Sequence, residues 1–370
     1  MKSVLCVIGT RPEAIKMAPV ILKLKSQQWA NVRVLATAQH RHMLDQVLNF
    51  FNIQPDIDLD IMRPNQALTT LTSRLLLNID NVLLAEKPDV VVVQGDTTTV
   101  MAVALACFYH RIPIGHVEAG LRTWNIQMPF PEEANRVIVS KLAHWHFAPT
   151  ERSKQNLLRD GVSEKNIFIT GNTVIDALLI ATSKESNINI ELDERKRLIL
   201  VTSHRRENFG EPFQNICAAL RALAENNSDI QILFPVHPNP NIKDIAYKML
   251  GNIKSIIMCD PLEYAQFVWA MKKAYLIISD SGGVQEEGPA LGKPVLVLRE
   301  KTERPEAIEM GVVKLIGTDQ YRIIEESQRL LDDCTVYKSM ARGGSPYGDG
   351  HSAERIEKVL RNHFFGSSDG

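Results

Sequence analysis

Short runs of β-branched and apolar residues, separated by longer stretches of helical spacing, constrain this chain more tightly than any other feature. The runs "VLCVI", "VRVLATA", "DVVVVQGD", "PIGHVEA", "HFAPT" and "IFITG" follow one another, with segments such as "APVILKLKSQ" and "TLTSRLLLNIDNVLLAEK" between them. A strand that is apolar on both faces must be covered on both, which a parallel sheet flanked by helices provides. The alternation breaks at residues 182–197, "TSKESNINIELDERKR", a polar and turn-rich stretch that reads as a linker. It restarts with "RLILVTSH", the helical "PFQNICAALRALAEN", then "IQILFPVH", "SIIMCD", "AYLIISD" and "PVLVLRE". At 370 residues the chain is also longer than one hydrophobic core ordinarily serves. The expected fold is α/β, with two Rossmann-like domains facing a central cleft. Pro19 falls inside the first helical pattern and predicts a kink or a restart there.

Charge narrows the partners. The net charge is -1, without the basic balance that nucleic acid or an anionic membrane surface favours. Five cysteines, Cys6, Cys107, Cys217, Cys259 and Cys334, are scattered without CxxC spacing. Free buried thiols in a reducing cytosol are expected, rather than a zinc or redox motif. No apolar run reaches the length of a membrane span, and "MKSVLCVIG" passes too quickly into "TRPE" to read as a signal peptide. A soluble, cytoplasmic protein is expected.

Ligands of parallel α/β sheets sit at the carboxyl ends of strands, so the loops directly after strands carry the candidates. After the first strand, Gly9 permits a tight turn, and Arg11 and Lys16 flank a helix start whose N–H groups favour an anion. The loop is neither GxGxxG nor a Walker A sequence, so neither NAD nor ATP is indicated. Asp96 has two readings: a first-turn charge worth about 0.3–1 kcal/mol to a helix capped by Thr97 or Thr98, or a catalytic acid. Glu118, Glu132 and Glu133 in "HVEAGLRTWNIQMPFPEEANR" have three: helix-start charges, metal ligands or proton carriers. In the second half His204 ends a strand and precedes Arg205 and Arg206, whose forks suit phosphate oxygens. Ser281, Gly282 and Gly283 then let the backbone approach a diphosphate at a helix start, Glu287 is placed to accept a ribose diol, and Arg304 follows. That set suits a sugar nucleotide better than a metal.

Nine stretches, "GTRPEAIKMAP", "QGDTTT", "GHVEAGLRT", "PEEANR", "FITGNTVIDAL", "HRREN", "SDSGGVQEE", "TERPEA" and "PYGDG", together resemble the non-hydrolysing UDP-N-acetylglucosamine 2-epimerases of bacteria. The resemblance implies a glycosyltransferase-B-type fold: an N-terminal domain of residues 1–170 joined by a crossover helix in 353–370, and a UDP-binding domain of 171–352. It implies interconversion of UDP-GlcNAc and UDP-ManNAc through 2-acetamidoglucal, without NAD or a catalytic metal, in a homodimer that supplies ManNAc units for surface polysaccharide. Asp96, Glu118, Glu132 and His204 would be catalytic, leaving Glu133 as the helix-start charge. Arg11, Lys16, Phe267, Ser281, Gly282, Gly283, Glu287 and Arg304 would hold the UDP moiety. A second, regulatory UDP-GlcNAc site would draw on Gln39, His42, Arg205 and His237. Here His42 stands where glutamine or glutamate is more usual, and Asn65 where some members have arginine. Gly288, in "EEGPALG" for the usual "EEAPSLG", is expected to loosen its helix by about 1 kcal/mol relative to alanine.

Rival readings are a hydrolysing epimerase or a glycosyltransferase on the same fold, and a non-catalytic sugar-nucleotide sensor. The presence of all three acids and His204 argues against the sensor. "HWH" at 144–146 would place two imidazoles on one strand face, where packing is expected over metal binding.

Overall fold

The computed structural model describes residues 1–37, 41–61, 66–184 and 190–366. Two compact units form, Met1–Ile180 with Tyr347–Gly370, and Ala181–Pro346. The boundaries lie ten residues after, and six before, those expected from the sequence, because the helix Thr173–Ser183 and the segment after Tyr347 are tied together. Asn172 N donates to Tyr347 O (2.5 Å), Ala353 N to Asp176 Oδ1 (2.8 Å), and Arg355 Nη1 to Thr170 O (3.0 Å). The last helix, Ser352–Phe365, is also fixed by Trp29 Nε1 donating to Glu357 Oε1 at 2.8 Å.

The first unit holds seven parallel strands: β1 Lys2–Ile8, β2 Ala30–Ala36, β3 Ile57–Asp58, β4 Val90–Gln94, β5 Ile114–Val117, β6 Trp145–Ala148 and β7 Ile167–Ile169. Their order is β3-β2-β1-β4-β5-β6-β7. The second unit holds six: β8 Arg197–Thr202, β9 Ile230–Pro235, β10 Ile256–Cys259, β11 Leu276–Ser279, β12 Val295–Val297 and β13 Val313–Leu315. Their order is β10-β9-β8-β11-β12-β13. Each sheet grows outward on one side of its first strand and then returns to the other side. The order reverses between β1 and β4, and again between β8 and β11, and such switch points open a crevice at the strands' carboxyl ends. The strands are continuous apolar runs for the reason anticipated. Val90, Val91 and Val92 of β4, and Ile199, Leu200 and Val201 of β8, are all at 0% exposure under helices on both faces.

Three expectations change. The helix Arg11–Lys25 runs through Pro19 without restarting. Proline forfeits one N–H bond there, while Met17, Ala18, Val20, Ile21 and Leu24 on the same helix are fully buried and hold it in place. Cys334 is exposed, although Cys6, Cys107 and Cys217 are buried and burial pushes their thiols up to about 12. His144 precedes β6, is exposed, and packs edge-on against Trp145 and His363, whereas His146 is buried inside the strand, so only one of the two imidazoles belongs to the strand.

Gly288 reverses its expected sign. A Cβ there would lie 2.5 Å from Val295 Cγ2 and 3.4 Å from Ile277 Cδ1, so its helix lies too close to the sheet for a methyl group. Gly288→Ala is expected to lower stability by about 1–3 kcal/mol through overpacking, seen as a lower urea midpoint; an unchanged or higher midpoint would contradict this.

His116 and His146 are register partners on β5 and β6 and are both buried. Burial pushes His116 down to about 4 and His146 down to about 3. The unfolded chain takes up these protons near pH 6.5, so stability is full above that value and falls as pH drops toward 4. Unfolding free energies from urea titrations between pH 7 and pH 4.5 are expected to fall less steeply for His146→Gln than for the unaltered chain, by up to about 1.4 kcal/mol per pH unit. Equal slopes would show that His146 is not held neutral.

Candidate active site

At the first switch point the loop after β1 lies beside the loop after β4. Gly9 is required by close approach: a Cβ would sit 2.9 Å from both Thr37 Oγ1 and Thr99 Oγ1. Thr10 and Glu13 form a capping box at the start of the helix Arg11–Lys25. Glu13 Oε2 accepts Gly9 N at 2.5 Å and Thr10 N at 3.1 Å, which fixes the turn that presents Arg11. Burial pushes Glu13 up to about 7, against the bonds it receives from Thr97, Gly9 and Thr10, and nearby Asp96 raises it further.

Asp96 follows Gly95, and Thr97 caps the helix Thr98–Tyr109 by accepting from Val100 N. Arg136 grips Asp96 Oδ2 through Nε (2.9 Å) and Nη2 (2.7 Å), and Asn135 Nδ2 donates to the Asp96 carbonyl at 2.8 Å. Asp96 is therefore held in an arginine fork, not left as a loose first-turn charge. Arg136 comes from the helix Glu132–Leu142, so one ion pair joins the loop after β4 to the segment carrying the other acids.

Glu118 follows β5 with φ of 60°, a left-handed conformation that costs a non-glycine residue about 1–3 kcal/mol and persists only where its surroundings impose it. Three side chains impose it here. Lys16 Nζ bonds Oε1 (2.7 Å) and Oε2 (2.6 Å), Asn172 Nδ2 donates to Oε1 (2.9 Å), and Gln94 Nε2 donates to Oε2. Lys16, expected on the UDP moiety, thus bonds Glu118. Glu133 is not a solvated helix-start charge: at 1% exposure it accepts from Thr123 N (2.9 Å), Trp124 N (3.0 Å) and Arg136 Nη1 (2.9 Å). It ties the loop between Glu118 and the helix to the arginine that holds Asp96. Glu132, one residue earlier and half-buried, has no hydrogen-bond or ion-pair partner among the described residues.

At the second switch point the loops after β8 and β11 meet. His204 Nδ1 lies 3.1 Å from Asp280 Oδ1, and the His204 ring stacks at 6.2 Å on His237. Arg205 Nε donates to Asp280 O at 3.1 Å. Ser281 N donates to Ser279 Oγ, and Gln285 Nε2 to Ser281 O, which shapes the turn into the helix Val284–Ala290. Gly282 lies over the Arg304 guanidinium, where a Cβ would come within 2.7 Å of Nη1. Arg304 itself is buried and bonded to Glu286 (2.5 Å) and Glu303 (2.7 Å), so it underpins the turn from below. Glu287 is buried with Oε2 beside Gly283, and Phe267 is half-buried on the helix Tyr264–Lys273. Gln39 and Asn65 fall outside the described residues, as do the side chains of His42 and Arg206.

Asp96 and Glu118 therefore lie at the carboxyl edge of one sheet, with Glu132 at the start of the helix whose Arg136 holds Asp96, and His204, Arg205, Ser281, Gly282 and Gly283 lie at that of the other. The sequence reading missed Arg136, Gln94, Asn172, Glu13 and Asp280. Each sits in a quoted motif, and two of them, Gln94 and Asp280, lie within two residues of a strand end.

A family model described as UDP-N-acetylglucosamine 2-epimerase matches residues 22–361. The chain is 54% identical over 370 residues to the UDP-N-acetylglucosamine 2-epimerase of Escherichia coli K12, covering 97% of this chain and 98% of that one. It is similar to the crystal structure of UDP-GlcNAc 2-epimerase from Neisseria meningitidis bound to UDP-GlcNAc, with 46% identity, a TM-score of 0.90 and coverage of 97% and 100%. An S. aureus MnaA–UDP co-structure matches at 43% identity and a TM-score of 0.89, covering 100% of this chain and 98% of that one. The two parallel α/β sheets are those of the glycosyltransferase-B type. The chain belongs to the UDP-N-acetylglucosamine 2-epimerase family.

Proposed function

We propose that the chain interconverts UDP-GlcNAc and UDP-ManNAc by eliminating UDP and adding it back. A base takes the C2 proton, the electron pair forms the C1–C2 double bond, and the C1–O bond breaks with its electrons leaving on UDP. An acid then protonates the opposite face of C2 in 2-acetamidoglucal while a UDP oxygen re-forms the bond to C1. The observation that carries this reading is three acids of the first unit in three different settings: Asp96 in an arginine fork, Glu118 under Lys16, and Glu132, at the start of the helix that supplies the fork, with its carboxylate unbonded among the described residues. A reaction that removes and returns a proton on opposite faces needs carriers that differ in this way.

Arg11, Lys16, Phe267, Ser281, Gly282, Gly283, Glu287 and Arg304 would hold UDP in this scheme, and His204 with Arg205 would neutralise the departing diphosphate. Arg205 and His237 would serve the regulatory UDP-GlcNAc site together with Gln39 and His42. The enzyme would act in the cytoplasm as a homodimer supplying ManNAc units for surface polysaccharide. Exposed Leu77 and Leu84, seven residues apart on one helix, with Phe108 and Tyr109 at the end of the next, support the dimer. Among the described residues no helix is long and apolar enough to cross a membrane.

Incubation with UDP-GlcNAc in D2O, followed by proton NMR, is expected to give deuterium at C2 and a mixture of the two UDP-sugars. Recovery of undeuterated substrate would overturn the reading, and accumulation of free ManNAc with UDP would replace it by hydrolysis. Asp96→Asn and Glu132→Gln are each expected to keep UDP affinity while losing turnover by roughly 10²–10⁴-fold; normal turnover in either would remove that residue from the catalytic set.

A further inference from the structure

Asp280, the residue directly after β11, is fully buried yet bonded to several donors. Its Oδ2 accepts from Ser203 Oγ (3.1 Å), His204 N (2.9 Å), Arg205 N (2.9 Å) and Asn208 Nδ2 (3.0 Å). Its Oδ1 faces His204 Nδ1 at 3.1 Å, and its backbone carbonyl receives Arg205 Nε. Burial would raise this carboxyl, but the His204 side chain and the N–H groups of Arg205 and His204 outweigh it and hold Asp280 below the usual carboxylate range. An ionised carboxylate only accepts, so a proton on the His204 nitrogen beside it would give the buried Asp280 Oδ1 the hydrogen-bond partner it otherwise lacks. His204 Nε2 has no partner among the described residues, on a side chain that is 45% exposed.

We propose that Asp280 is a positioning residue for the reaction: it holds the His204 ring with Nδ1–H turned inward and Nε2 presented to substrate, while the same carboxylate fixes the turn carrying Arg205. This rests on the assignment of His204 to the catalytic set. One buried group thereby sets both the tautomer of the histidine and the location of the neighbouring arginine, and it does so from the residue preceding the Ser-Gly-Gly turn.

Asparagine at 280 separates these roles. Its amide oxygen is kept toward the turn, because four donors converge there and only one nitrogen faces the other side. Its NH2 then points at His204 Nδ1, which must become the acceptor, so the ring proton moves to Nε2. The turn survives, but a doubly protonated ring, the form that would neutralise the departing diphosphate, would set N–H against N–H. Asp280→Asn is expected to lower kcat for UDP-GlcNAc by roughly 10²–10⁴-fold, as a wrong-tautomer histidine does, with KM changed less than about threefold. Long-range ¹H–¹⁵N correlation spectra should show the neutral His204 ring protonated at Nδ1 in the unaltered enzyme and at Nε2 in the variant. His204→Gln assigns the signal by its disappearance.

Unchanged kcat and tautomer in Asp280→Asn, with His204→Gln inactive, would overturn the positioning role and leave the catalytic histidine standing. Full activity in His204→Gln would overturn the histidine's own assignment, and the inference with it. Should Asp280→Asn not fold, the unaltered enzyme still decides: a neutral His204 protonated at Nε2 would overturn the proposal. A loss confined to stability, with kcat and tautomer intact in the folded fraction, would reduce Asp280 to a structural anchor and overturn it equally.

Discussion

Reversal of strand order at the middle of each sheet is the constraint on which the rest depends. Because β2 and β4 leave β1 on opposite sides, the segments that follow β1 and β4 diverge at the carboxyl edge, and nothing in the sheet itself fills the space between them. The same holds for β8, β9 and β11. Among the described residues, the candidate groups of the two switch points lie in, or are bonded to, segments that start at such an edge. Gly9 to Lys16 follow β1, Asp96 follows β4, Glu118 follows β5, His204 and Arg205 follow β8, and Asp280 to Gly283 follow β11. Apolar strands locked under helices make the edge rigid, and the rigid edge makes polar, strained loops tolerable.

Those loops are held by acids of two kinds. Glu13, Glu133 and Asp280 are buried and bonded to backbone N–H groups: their work is to fix turns. Asp96 and Glu118 are half-buried and bonded to the side chains of Arg136 and Lys16, and Glu132 is left without such a partner among the described residues. Removing a buried acid of the first kind would strand several donors at once, which costs about 1–3 kcal/mol for each that stays unsatisfied. Asp96 and Glu118 instead pair with cationic side chains, so removing either would take a carboxylate from Arg136 or Lys16 as well as from the edge. The division accounts for Glu132 and Glu133 being neighbours with unlike surroundings.

Much of this was legible in the chain. The apolar runs located the strands and the parallel sheets, because both follow from local pattern. Glu118, Asp96, His204 and the Ser-Gly-Gly turn were singled out because strand ends followed by turn residues are visible in sequence. What was not legible depends on pairing across the fold. Nothing local separates Glu133, which bonds Thr123, Trp124 and Arg136, from Glu132 beside it. Lys16 read as an anion ligand because its partner Glu118 is 102 residues away. Asp280 passed unnoticed within "SDSGG" because its donors arrive from a loop more than seventy residues earlier. Gly288 shows the same limit for propensity: a packed neighbour, Val295, decided what helix statistics alone got wrong.

The central claim is that the C1–O bond breaks and re-forms during each turnover. It is tested most directly by placing ¹⁸O in the bridge between C1 and the β-phosphorus of UDP-GlcNAc and following its position by ³¹P NMR as epimerisation proceeds. Breakage frees the diphosphate end to rotate, so the account expects the label to spread from the bridge into the non-bridging β-phosphate oxygens. If UDP-ManNAc accumulated while the label stayed in the bridge, the bond would never have opened, and the elimination account would be contradicted.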